Sequence, residues 1–159
     1  MKLYRSAIRI LIATIVGLGL TPRDLRAGED STHDVFLVSI KVRETKANGS
    51  SWDPAGGKPD LRVIISNERS GKTFVSTLAK DTTAVQFELK APVLDVSDGD
   101  ILDVLVYDED LADHDIVGIS RKAITTGILA KKELDLSFGQ VEQLRMELQP
   151  RKKRSEGAS

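Results

Sequence analysis

Between positions 35 and 148, apolar residues alternate with polar ones at a period of two, which is typical of β-strands with one buried face. The alternation is clearest in three segments: Phe36, Val38, Ile40 and Val42; Val85, Phe87 and Leu89; and Leu144, Met146 and Leu148. Eight strands are predicted, at about 35–42, 60–66, 72–79, 83–90, 100–107, 115–120, 132–137 and 141–148. No long amphipathic helix is predicted between them, and residues 120–131 fit either a helical turn or an irregular crossover. The pattern therefore predicts an all-β fold, an eight-stranded antiparallel β-sandwich.

The first 27 residues have the pattern of a secretory signal peptide. Lys2, Arg5 and Arg9 precede an apolar run of 11 residues, Ile10–Leu20, and Ala27 is a small residue at the predicted cleavage position. This run is shorter than the roughly 20 residues that span a bilayer. We expect residues 1–27 to be cleaved and the mature chain to be secreted or periplasmic, with an uncleaved signal anchor as the alternative. Residues 28–34 are predicted to be a linker.

Composition limits the chemistry that the chain can perform. The sequence has no cysteine and only two histidines, His33 and His114. Disulfides, thiolate zinc sites and thiol nucleophiles are therefore excluded. With only two histidines, a mechanism that needs a histidine base or several histidine ligands is disfavoured. We expect a non-enzymatic protein in which any metal is held by oxygen ligands.

The predicted domain is acidic. Residues 28–150 contain 14 basic and 22 acidic residues, a net charge of −8. Such a surface argues against a nucleic acid partner, which requires clustered Lys and Arg. The basic residues Arg151–Arg154 lie instead in a C-terminal segment, 149–159, that is predicted to be a disordered tail.

Acidic residues are densest between positions 95 and 115, where nine Asp and Glu occur without any Lys or Arg. Two carboxylates 4 Å apart repel each other by about 4 kcal/mol at an effective dielectric constant of 20. Several of them converging on one loop therefore call for a cation. Calcium, which takes six to eight oxygen ligands at about 2.3–2.6 Å, fits flexible carboxylate-rich loops better than magnesium does.

The spacing of the acids suggests how they meet. Asp108 and Asp110 follow an apolar strand two residues apart, so their side chains leave it on the same side, and the loop can return Asp115 to the same ion. An upstream loop rich in glycine is bracketed by Asp53 and Asp60. The alternative is that both segments are solvated turns, because Asp is common in turns.

These two loops resemble those of the C2 domains, β-sandwiches that bind calcium through loops at one end. Residues 53–63 look like the first calcium loop of that family, and residues 102–118 look like the third, although the usual Asp-Pro-Tyr is replaced by Asp60-Leu61-Arg62. The resemblance covers residues 35–148. It implies that calcium ligands map to Asp53, Asp60, Asp108, Asp110 and Asp115, with Asp113 as an auxiliary ligand.

The same resemblance implies a function, which is calcium-dependent binding to anionic phospholipid or another anionic surface. Trp52 and Leu111, which lie in the two acidic loops, are candidate membrane-tip residues, and the alternative for Trp52 is that its indole packs against its own sandwich. The alternative is a calcium-independent structural or protein-interaction module that binds an envelope protein. A hydrolase using paired carboxylates is a weaker hypothesis, since no substrate cleft is predicted.

Overall fold

The computed structural model describes residues 31–53, 56–110 and 114–151. Over these residues the chain forms nine strands and one short helix. In chain order they are β1 (His33–Val42), β2 (Leu61–Asn67), β3 (Thr73–Val75), β4 (Ala84–Gln86), β5 (Leu94–Val96), β6 (Ile101–Glu109), β7 (His114–Ala123), α1 (Thr126–Lys131), β8 (Glu133–Phe138) and β9 (Val141–Pro150). In the part of the chain that the structure describes, no helix is long and apolar enough to cross a membrane.

The strands form two antiparallel sheets that enclose one hydrophobic core. The first sheet has the order β4–β1–β9–β8, with β5 paired to the beginning of β1, and the second has the order β3–β2–β6–β7. Side chains such as Val63, Val104 and Leu144 fill the space between the sheets and are almost completely buried. The predicted antiparallel β-sandwich is confirmed.

One strand is absent from the sequence prediction. The three residues of β5, Leu94–Val96, pair with the beginning of β1, where Leu94 lies opposite Val35. The described residues consequently contain nine strands where the sequence predicts eight.

The alternation predicted for β1 is correct in only one half of the strand. Val35 and Leu37 point into the core, as Ile40 and Val42 do, whereas Phe36 is only half-buried. The pairing of β1 with β9 shifts by one residue between Leu37 and Ser39. This bulge moves the inward-facing positions from odd to even numbers. The predicted burial of Phe36 and Val38 is therefore wrong.

The segment predicted as a helical turn or a crossover is divided between two elements. Residues 120–123 belong to β7, and α1 follows as a six-residue helix. Its first turn is capped by Thr125, whose side chain accepts a hydrogen bond from the backbone N–H of Ile128. It ends at Lys132, which adopts the left-handed conformation with φ 60°.

Both ends of the sandwich extend beyond the predicted domain. β1 begins at His33 and β9 ends at Pro150, so parts of the predicted linker and tail belong to the sheet. Arg151, a residue of the predicted tail, donates hydrogen bonds to the carboxylates of Asp34 and Asp95. The predicted signal peptide, the first residues of the linker and residues 152–159 lie outside the described residues.

Candidate metal centre

Asp108 lies at the end of β6 and faces the interior of the sandwich. Leu102, Val104 and Val106 point into the core from the same strand, and Asp108 continues this alternation with a relative exposure of 0%. Its Oδ1 accepts a hydrogen bond from the backbone N–H of Asp60 at 2.6 Å. Its Oδ2 is buried and has no hydrogen-bond partner among the described residues. A buried carboxylate oxygen without a partner is costly unless a cation neutralises it.

Two further carboxylates converge on this buried group. One carboxylate oxygen each from Asp53, Asp108 and Asp110 lies within 4.8 Å of the other two. Oxygens on opposite sides of a calcium ion at about 2.3–2.6 Å are about 5 Å apart, so the spacing suits a shared divalent cation. We call these three residues the Asp cluster. The unpartnered oxygen of its buried member shows that the cluster fits a hard cation.

Glycines shape the loop that brings Asp53 to the site. Gly56 has φ +83° and donates a backbone hydrogen bond to the carbonyl oxygen of Asp53 at 3.0 Å. At Gly57, an added Cβ would lie 2.5 Å from Oδ2 of Asp53. Gly57 thus leaves room for the Asp53 carboxylate, which a larger residue would displace.

Burial, and then the proximity of the other carboxylates, raises the pKa of two members of the cluster. Burial raises the pKa of Asp108 to about 6, and the negative charges of Asp110 and Asp53 add to this effect, against the hydrogen bond from Asp60 and the charge of Lys46. The pKa of Asp53 is also raised, first by desolvation and then by Asp110. The ionised form of the cluster is therefore unfavourable in the absence of a cation, and the positive charge of a bound cation would stabilise it.

Asp60 lies beside the Asp cluster, but its backbone N–H and its carboxylate form hydrogen bonds that stabilise the loop. Its backbone N–H binds Asp108, and its Oδ1 accepts a hydrogen bond from the backbone N–H of Asp81 at 2.7 Å. Asp81 has φ 47° and accepts a hydrogen bond from the backbone N–H of Lys58 at 2.9 Å. Asp81 therefore positions the first acidic loop. Its role is not predicted from the sequence, because an isolated Asp in a turn gives no indication of the loop it contacts.

Asp115 also lies next to the cluster with its carboxylate already engaged. It is directly opposite Asp108 in the pairing of β6 with β7. Its Oδ2 forms an ion pair with Nζ of Lys46. Lys46 was not predicted as a site residue, and nothing in its sequence neighbourhood indicates this contact.

The candidate ligands thus differ in what they contact. Asp53, Asp108 and Asp110 meet, whereas the carboxylates of Asp60 and Asp115 bind a backbone amide and a lysine respectively. The auxiliary candidate Asp113 and the candidate tip residue Leu111 lie outside the described residues.

Trp52 is not available as a membrane-tip residue. Its side chain is packed in the hydrophobic core with a relative exposure of 2%, and its indole N–H donates to the carbonyl oxygen of Arg43 at 2.9 Å. The expectation that Trp52 contacts a membrane is therefore wrong, because its indole finds apolar packing and a hydrogen-bond acceptor within the domain. Among the described residues, Ile116 is an exposed apolar residue near this end: it follows Asp115 and has a relative exposure of 62%.

Solved structures similar to this chain include C2 domains. A structure of two C2 domains of extended-synaptotagmin 2 matches with 16% identity and a TM-score of 0.55, covering 91% of this chain and 48% of that one. A calcium-bound structure of the same two domains matches with 17% identity and a TM-score of 0.50, covering 75% of this chain and 45% of that one. A C2 domain protein from Ramazzottius varieornatus matches with 12% identity and a TM-score of 0.53, covering 80% of this chain and 93% of that one.

These similarities establish the fold. The chain has the C2-domain fold, and its resemblance to C2 domains is confirmed at that level. It spans about half the length of the extended-synaptotagmin structures that it matches. The sequence matches no protein-family model and no curated protein.

Proposed function

We propose that this chain is an exported, non-enzymatic calcium-binding C2-like module that binds anionic phospholipid, or another anionic surface, when calcium is bound. The observation that carries the proposal is the buried, unpartnered Oδ2 of Asp108 within the Asp cluster. The calcium-bound state of one similar structure agrees with this assignment. Export is supported by the signal-peptide pattern of residues 1–27.

Calcium acts in this proposal as an electrostatic switch. The domain is acidic, and without metal the concentrated charge of the Asp cluster repels phosphate groups. A divalent ion neutralises two of the three negative charges and offers its remaining coordination positions to a phosphate oxygen. Binding to an anionic headgroup therefore becomes favourable only in the calcium-loaded protein.

An apolar side chain near the cluster supports contact with a lipid surface. Ile116 is exposed and immediately follows Asp115, which lies opposite Asp108. A membrane drawn to the loaded site would cover this side chain and remove its apolar surface from water. In this proposal Ile116, and not the buried Trp52, is the described apolar residue that contacts the membrane.

Co-sedimentation with vesicles tests the lipid hypothesis. We expect the protein to pellet with phosphatidylserine-containing vesicles in calcium and to stay in solution with EGTA or with pure phosphatidylcholine. The double variant Asp108→Asn with Asp110→Asn should lose calcium-dependent binding. Asp103→Asn, an exposed position of the same strand, is the matched control and should bind normally. Equal pelleting in calcium and EGTA would refute the switch.

Localisation has its own test. When the full chain is produced in cells, the mature protein should be recovered from the secreted or periplasmic fraction with an N-terminus near residue 28. Recovery of an intact N-terminus from the cytosol would contradict the export part of the proposal and leave the metal site unaffected.

A second candidate function is a calcium-independent protein-interaction module, and one observation favours it. An apolar row crosses the outer face of the second sheet, formed by side chains that lie opposite one another on adjacent strands: Val75, Ile64, Leu105 and Ile119. Val75 and Ile119 at its two ends have relative exposures of 49% and 63%. Partner binding that persists in EGTA and is lost in Ile119→Ser would support this function over the first.

A further inference from the structure

The ammonium group of Lys46 lies within the acidic end of the sandwich. Its Nζ forms an ion pair with Oδ2 of Asp115 and lies 5.9 Å from the centroid of the Trp52 ring. Only 26% of the Lys46 side chain is exposed. A cation at this distance from a tryptophan face is attracted by the ring. The side chain is therefore held by two partners, which distinguishes it from a solvated surface lysine.

The fold fixes both the backbone and the side chain of Lys46. Its backbone N–H donates to the carbonyl oxygen of Ser50 at 2.9 Å, and its own carbonyl oxygen accepts from Gly49 at 2.9 Å, so the residue sits in a closed turn. Trp52, against which the side chain lies, is buried in the core and hydrogen-bonded to Arg43. The position of the ammonium is thus set by the domain before any ligand arrives.

The charge of Lys46 acts on the whole acidic end. The hydrogen bond with Asp115 raises the pKa of Lys46, and the charges of Asp108 and Asp110 raise it further. In return, Lys46 opposes the rise in the pKa of Asp108 and Asp53. Lys46 therefore already performs part of the neutralisation that a metal ion would supply.

Asp115 is the carboxylate that this arrangement withdraws from metal binding. It lies opposite Asp108 on the neighbouring strand, yet it is not a member of the Asp cluster, because its carboxylate is paired with Lys46. A second divalent ion using Asp115 would have to displace the lysine and then share the site with a positive charge. The Asp cluster, in contrast, retains an unpartnered buried oxygen.

We propose that Lys46 is a built-in cation that takes the place of a second metal ion, so that this module binds a single divalent cation at the Asp cluster. The inference rests on the proposed calcium-binding function and specifies its stoichiometry. It follows that the neutral pair of Lys46 and Asp115 stays intact when the ion binds, and that removing the lysine charge opens a second cation position at Asp115.

Calorimetric titration with calcium chloride tests this stoichiometry. We expect one calcium ion per chain for the wild type and two for Lys46→Gln, the second being lost again when Asp115→Asn is added. Lys58→Gln is the matched control, since Lys58 is an exposed lysine in the neighbouring acidic loop, and it should still bind one ion. Lys46→Met, which keeps an apolar stem against Trp52, serves as the second variant if Lys46→Gln does not fold.

The possible outcomes separate the two levels of the proposal. Two ions bound by the wild type would overturn the role of Lys46 while leaving calcium binding in place. One ion bound by Lys46→Gln and by Lys46→Met would do the same. No calcium bound by the wild type or by any variant would refute the proposed function and this inference with it. A gain of a second ion in Lys58→Gln as well would show general charge removal and would also overturn the specific role of Lys46.

Discussion

Replacing Asp108 with asparagine should stabilise the metal-free protein at neutral pH, although it removes a group that is fully buried. Burial and the neighbouring carboxylates raise the pKa of Asp108 from 3.8 to about 6. This change corresponds to about 3 kcal/mol. Because the native state binds the proton more tightly than the unfolded state, this contribution to stability is present below pH 3.8 and is lost as the pH rises through 6. At neutral pH the wild type therefore carries the full cost of the buried charge.

Asparagine removes that cost and introduces a smaller one. Its Oδ1 can still accept the hydrogen bond from the backbone of Asp60, but its amide group takes the place of the unpartnered Oδ2. An unsatisfied buried amide costs about 1–2 kcal/mol. We expect Asp108→Asn to be more stable than the wild type by about 1–2 kcal/mol at about pH 7.5 in EGTA. At about pH 4.5 the native carboxyl is protonated, but most of the unfolded carboxyl is already ionised, so only about 1 kcal/mol of the cost remains. The variant should then lose its advantage and be equal to the wild type or less stable by up to about 1 kcal/mol.

Calcium should reverse the order at neutral pH. An ion present at about 100 times its dissociation constant stabilises the wild type by about 2.7 kcal/mol and leaves the variant unchanged. Urea denaturation followed by circular dichroism, at both pH values and with calcium or EGTA, measures all four differences. Asp103→Asn, in which an exposed carboxylate of the same strand is neutralised, should follow the wild type. A variant that is destabilised at neutral pH in EGTA, or that calcium stabilises as it does the wild type, would refute the reasoning.

Three further predictions follow from the same geometry. Gly57→Ala places a Cβ 2.5 Å from the Asp53 carboxylate and should weaken calcium binding about tenfold, or by about 1.4 kcal/mol, when measured by titration. Gly127→Ala is the control and should bind calcium like the wild type. Equal calcium affinities of Gly57→Ala and the wild type would contradict this prediction. Calcium affinity should fall as the pH drops below 6, because a proton competes for the buried carboxylate whose pKa is about 6, and a pH-independent dissociation constant would argue against that ligand. Gly139 has φ +54°, and Gly139→Ala places a Cβ 2.7 Å from the carbonyl oxygen of Val117. The substitution should lower the free energy of unfolding, measured in urea, by about 1–3 kcal/mol. An unchanged urea midpoint would contradict this prediction.

Regular strands could be predicted from their alternation. In β9 the predicted positions Leu144, Met146 and Leu148 are all fully buried. In β1 the same reasoning failed at Phe36 and Val38, because a bulge in the pairing with β9 changes which side faces the core. A bulge depends on the partner strand, so the sequence of one strand does not reveal it.

The candidate site shows the same division between local and distant information. The spacing of Asp108 and Asp110 predicted that they share one side of a strand end, and both belong to the Asp cluster. Trp52 precedes Asp53 in the same loop, and the sequence left open whether its indole is exposed there or packs against the sandwich; the structure buries it in the core. The sequence alone could not decide between these two positions, since the burial depends on residues from other strands.

The order of residues along the chain determined the strands, the acidic loops and the direction in which Asp108 and Asp110 leave β6, because these depend on neighbours within a few positions. Only the tertiary structure decided that Asp53 joins them and that Asp115 pairs with Lys46. These residues lie on loops and strands far apart in the sequence, and their distances depend on how the two sheets pack. The physical reason is that charges interact through space, so the partner of a carboxylate is known only when the whole sandwich has assembled.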